Sequence, residues 1–159
     1  RAGLAAALAA ALAAPRAARA AEQPNPWAGA AVRPSLRAEA YLRVIDSTRG
    51  PAVASLAELV DQSEYKRASE ALFLPPFDDL KQALFFLPWA AAARDEASGV
   101  ALQLRWIDVR GAMAAFDAAM QEGARYQADD EELDAALAAL RGAVDAYAAD
   151  AARLVPALP

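Results

Sequence analysis

The sequence predicts an all-α chain, a four-helix up-down-up-down bundle behind an extended N-terminal arm. Three observations predict it. Alanine, the strongest intrinsic helix former, supplies 48 of the 159 residues. From Ser35 onward, apolar residues recur at three- and four-residue steps, the period of a helix with one buried face. No stretch alternates with period two, and no Asn-Gly or Asp-Gly pair marks a hairpin.

Composition narrows the function before any motif is sought. The chain has a formal net charge of −5 and contains neither cysteine nor histidine. That removes disulfides, thiol nucleophiles, imidazole ligands for zinc or haem, and the usual general base near neutral pH. An acidic total also argues against nucleic acid as a partner, since phosphates demand a basic face.

The first element reads as an address. Arg1 precedes an uncharged run from Ala2 to Ala14, and Ala17-Ala18-Arg19-Ala20-Ala21 follows. A basic start, a short apolar middle and a small-residue ending describe an export or thylakoid-lumen signal, with cleavage expected after Ala20. Alanine is weakly hydrophobic and the run is short for a bilayer span, so residues 1–20 are not expected to cross a membrane. They hold three arginines and no acid, so the remainder carries a net charge of about −8. Residues 21–34 form the arm, where Pro24, Pro26 and Pro34 each fix φ and disfavour helix just before them. Trp27 within it is costly to leave in water and is expected to pack on the domain or a partner.

Residues 35–159 form the bundle. In the first segment Leu36, Ala40, Val44 and Ile45 share a face, resumed by Val53, Leu56, Leu59 and Val60; Gly50-Pro51 between them predicts a break or kink. Ser63 is the expected N-cap of the second segment. Pro75-Pro76 breaks that segment, Phe77, Leu80, Leu84, Phe85 and Leu87 restart it behind Asp78 and Asp79, and Pro88 is expected to end it. The third segment is expected from Trp89 to Gln121. It carries one stripe of Leu104, Ile107, Gly111, Ala114 and Ala118, and a second of Trp106, Val109, Met113, Phe116 and Met120. Two stripes predict a broad buried face and an inner position touching two neighbours. Gly123 closes it. Asp129 and Glu132 then fit a capping box ahead of Leu133, Leu137, Leu140, Val144 and Tyr147, and Pro156 ends the last helix.

No catalytic motif is present: no Walker loop, no Gly-x-Gly-x-x-Gly, no nucleophile elbow, no Glu-x-x-His. The only possible Ser-Lys dyads involve Lys66 or Lys81. Asp95-Glu96 and Asp78-Asp79 read as solvated helix starts, because adjacent residues do not share a helical face. Asp108 sits between Arg105 and Arg110, with Arg105 at the spacing of an ion pair; that trio is either a surface salt bridge or a docking contact. The chain is therefore not expected to be an enzyme, nor to hold a cofactor or metal.

Several stretches resemble the PsbQ-like family of extrinsic thylakoid-lumen proteins, in the form found in red-lineage algae. Phe86-Leu87-Pro88-Trp89 leading to Leu104-Arg105-Trp106-Ile107-Asp108-Val109-Arg110-Gly111 is similar to that family's third-helix region. Tyr41-Leu42 to Leu59-Val60 resembles its first helix, and Ser63-Glu64-Tyr65 its turn into the second. The resemblance implies a non-catalytic role on the lumenal face of photosystem II, among the core and other extrinsic subunits. There such proteins shield the manganese cluster and help retain calcium and chloride, holding no manganese themselves. The location implied is the chloroplast thylakoid lumen, peripheral to the membrane. Expected docking residues are Trp27 as an aromatic anchor, Arg33, Arg37 and Arg43 as charge contacts, and the Arg105, Asp108 and Arg110 trio. A lumenal subunit of photosystem I or of an antenna supercomplex fits the same signal and arm, as does an exported bacterial helical-bundle binding protein.

Overall fold

The computed structural model describes residues 37–126 and 128–155, and all regular structure among them is helical. The export segment, the arm, Trp27, Arg33 and Pro156 lie outside the described residues. Five helices follow in order: α1 Ala38–Asp61, α2 Tyr65–Ala71, α3 Phe77–Ala92, α4 Glu96–Gly123 and α5 Asp130–Leu154. Helix α1 packs on α3 and α5, α3 on α4, and α4 on α5, while the short α2 packs on α4 and α1. The core they enclose is led by Tyr147, Phe77, Phe116, Ile45 and Leu56, all essentially inaccessible. An aromatic run ties three helices together. Tyr41 stacks on Phe86 at 6.0 Å between ring centroids, Phe86 meets Phe85 edge-on at 5.0 Å, and Phe85 meets Trp106 at 6.0 Å.

Each helix end has a physical cause. Asp129 opens α5 as expected: its Oδ1 accepts from the Glu132 N–H at 2.9 Å, and Glu132 Oε2 accepts in return from the Asp129 N–H at 3.4 Å. Asp95 opens α4 by accepting from the Ser98 N–H at 3.0 Å and from the Ser98 hydroxyl. These hydrogen bonds hold the Asp95 carboxyl below its ordinary range. The doubled proline separates α2 from α3 as its chemistry requires, and Lys81 bridges the gap. Its ammonium donates to the Leu72 carbonyl at 3.4 Å, pairs with Asp78 at 2.6 Å and lies 4.8 Å from the Phe73 ring centroid.

Five expectations are corrected. First, Gly50-Pro51 does not break α1, which is helical throughout Ala38–Asp61. Ser47, Gly50 and Pro51 are all exposed, so water can satisfy the Ser47 carbonyl that Pro51 leaves without an amide donor. Second, Pro88 does not end its helix, which runs on to Ala92. A proline at 88 frees the carbonyl of Leu84, and the buried Tyr147 hydroxyl of α5 donates to that carbonyl at 2.8 Å. Third, α4 therefore begins at Glu96 and not at Trp89. Fourth, Ser63 caps no N-terminus. It adopts φ 57° and closes α1 in a Schellman turn, with Ser63 N–H donating to Val60 at 2.9 Å and Glu64 N–H to Leu59 at 2.8 Å. Fifth, only one of the two stripes on α4 is buried. Trp106, Val109, Met113, Phe116 and Met120 enter the core, whereas Ile107 is 46 % exposed and Gly111, Ala114 and Ala118 are exposed.

Candidate functional site

Among the described residues, the docking residues expected from sequence lie at the start of α1 and on α4. Arg37 immediately precedes α1 and Arg43 lies on it, both exposed. The start of α1 is tied to the turn between α3 and α4 by an ion pair of Glu39 with Arg94. The Glu39 carboxyl is held low by a hydrogen bond to its own backbone, opposed by partial burial and reinforced by Arg94. Farther along, Arg49 reaches Asp145 of α5 at 3.5 Å.

On α4 the expected trio separates into different roles. Arg105 stands 3.7 Å from Asp108, but its principal partner is Asp150 of α5, which also holds Arg153 at 3.2 Å. Partial burial pushes the Asp150 carboxyl up, yet the hydrogen bonds from Arg105 and Arg153 outweigh it and keep its pKa low. Arg105 thus clamps α4 to α5 and is mostly sheltered. Arg110 is exposed, like Arg43, and neither makes a salt bridge with another described residue.

Charge is distributed unevenly along the helices. Residues 58–64 and 122–134, around the α1–α2 and α4–α5 turns, hold nine acidic side chains and one basic one, Arg125. Residues 37–49, 94–110 and 150–155, toward the opposite end, hold seven arginines against six acids. An uneven field of this kind orients a protein as it approaches a charged partner.

The acidic end also carries a cleft that sequence reasoning missed. It has a volume of about 790 Å³ and is lined by residues of both turns, among them Ser63, Tyr65, Arg67, Gly123 and Tyr126. Among the described residues, Ser63 and Tyr126 are the non-glycine residues with positive φ, at 57° and 59°, and Tyr126 is 96 % exposed. A serine in place of the usual helix-ending glycine gives no sequence signal for such a turn. The cleft offers hydroxyls, the Arg67 guanidinium, the Lys66 ammonium and the Glu64 and Asp130 carboxylates, and the Tyr65 hydroxyl donates to the Ser63 hydroxyl at 3.3 Å. Among the described residues no cluster of acids is placed to hold a metal ion, and no helix is long and apolar enough to cross a membrane.

Compared with models of known protein families, with curated proteins and with solved structures, the chain matches none.

Proposed function

We propose that the chain is a non-catalytic docking subunit, a four-helix up-down-up-down bundle in which the broken pair α2 and α3 forms one arm. The closed sequence of contacts α1 to α3 to α4 to α5 and back to α1 supports that architecture. One observation carries the docking role: the negative charge is concentrated at one end, while exposed Arg37 and Arg43 lie at the other. In this reading the arginine end faces an acidic partner, and the N-terminal segment with Trp27 and Arg33 adds to the contact.

The partner follows from the resemblance of the Phe86–Trp89 and Leu104–Gly111 stretches to PsbQ-like proteins. It is the lumenal face of photosystem II in the chloroplast, where the subunit stabilises the oxygen-evolving complex and its calcium and chloride. The test is rebinding to salt-washed photosystem II membranes. The double charge reversal R37E/R43E is expected to weaken rebinding roughly tenfold, about 1.4 kcal/mol, with unchanged far-UV circular dichroism. Equal binding of the folded variant would remove the arginine end as the docking surface.

A further inference from the structure

Helix α4 is apolar on two faces; the packing of the described domain buries one and leaves the other half-buried at Val100 and Leu104 and exposed from Ile107 to Ala118. On the outer face Val100, Leu104, Ile107, Gly111, Ala114 and Ala118 recur at steps of four, three, four, three and four. That is the a/d spacing of a coiled-coil seam, sustained here over about 27 Å at 1.5 Å per residue. Ile107 is 46 % exposed, and a Cβ built on Gly111 meets no atom within 4 Å. A helix whose outer face faced only solvent has no need of this period.

The seam is graded and charged in a way that selects its occupant. Its first half is bulky, with Val100, Leu104 and Ile107; its second half is small, with Gly111, Ala114 and Ala118. A second α4 running antiparallel sets Ile107 over the second copy's Ala118 and Gly111 against the second copy's Ala114. Large then faces small between positions 107 and 118, while Leu104 and Val100 extend toward the second copy's Gln121 and Arg125. A parallel copy sets bulk on bulk in one half and leaves a gap in the other.

Charge beside the seam gives the same answer. Arg110 and Asp117 lie on one flank seven residues apart, at equivalent heptad positions. In the antiparallel arrangement each Arg110 approaches the second copy's Asp117, twice over by symmetry. Asp117 already accepts from the Ser69 hydroxyl and from Gln121 at 3.0 Å, and a carboxylate has lone pairs left for a guanidinium. A parallel copy would instead bring Asp117 beside the second copy's Glu122, like against like. We infer that the outer face of α4 is the interface of an antiparallel homodimer, sealed by reciprocal Arg110–Asp117 pairs.

The arrangement goes beyond the docking role and leaves Arg37 and Arg43 outside the seam. Sedimentation equilibrium of the full chain is expected to show a dimer, and Ile107→Glu a folded monomer. Arg110→Glu is expected to raise the dimer Kd about tenfold, and the swapped pair R110E/D117R to restore it. Because the chain lacks cysteine, single-cysteine variants report the direction. Oxidising a mixture of the I107C and A118C chains is expected to link the two to each other, while I107C alone stays unlinked. A monomer at high micromolar concentration, or a dimer indifferent to Ile107→Glu, would overturn the inference. Rapid self-linking of I107C would overturn the antiparallel arrangement.

Discussion

Replacing Tyr147 with phenylalanine is expected to lower stability by about 1–3 kcal/mol, the cost of leaving a buried carbonyl without a donor. The ring is retained, so no cavity contributes. The orphan is the Leu84 carbonyl, which Pro88 has stripped of its intrahelical partner and which the Tyr147 hydroxyl satisfies at 2.8 Å. This assigns the loss to a specific pair, and a double-mutant cycle can test it. Pro88→Ala returns an amide to position 88, so in that background the phenylalanine substitution is expected to cost markedly less. Urea unfolding of the four proteins decides the matter; an equal loss in both backgrounds would show that Tyr147 acts through something other than the proline gap.

The same hydroxyl makes stability depend on alkaline pH. Burial pushes the Tyr147 phenol well above its ordinary value. The folded state therefore retains a proton that the unfolded chain releases from about pH 10 upward. Stability from this group is complete below the unfolded pKa and is lost as pH rises above it. The phenylalanine variant lacks this contribution, so its stability is expected to decline less steeply over the same range.

Gly99→Ala is the second large effect, expected to cost about 1–3 kcal/mol as overpacking of a rigid contact. A Cβ at Gly99 would lie 2.4 Å from Ala92 Cβ, 2.7 Å from Ala92 Cα and 2.8 Å from the Pro88 carbonyl oxygen. Two of those three atoms are backbone, so a side-chain rotation cannot make room and α3 must move off α4. The opposite sign is expected at Gly142, where a Cβ meets nothing within 4 Å. There Gly142→Ala in the exposed middle of α5 should gain about 0.5–1 kcal/mol through reduced backbone entropy. Thermal melts of the two variants check the contrast; similar behaviour at both sites would mean that the α3–α4 contact is looser than described.

These two sites show where sequence reading succeeds and where it stops. The Asp129–Glu132 capping box, the break at Pro75-Pro76 and the buried stripe of Trp106 to Met120 are local or periodic, and they are legible in the residues themselves. Pro88 is not, because the donor that makes it tolerable is Tyr147 on another helix, 63 positions beyond the Leu84 carbonyl it satisfies. Pro51 differs in being exposed, so solvent completes what the chain leaves open. Ser63 has the residue type of an N-cap, but the turn needed a left-handed residue at the end of α1 and took the serine there. Periodicity marks both stripes of α4 as apolar and so predicts both buried, whereas the rest of the domain buries only the Trp106 to Met120 stripe. For the docking residues the limit is similar. The spacing of Arg105 and Asp108 is visible in sequence, but Asp150, 45 positions away, is the partner that turns Arg105 into an interhelical clamp.

Fractionation tests the proposed docking on photosystem II most directly. Membranes of the cells that make this protein are washed with high salt or alkali, and the released chains are identified with their N-termini by mass spectrometry. The expected result is release together with the other extrinsic oxygen-evolving proteins, as a chain beginning near Ala21. A chain found soluble and apart from any photosystem, or one that keeps residues 1–20 and resists the wash, would contradict it.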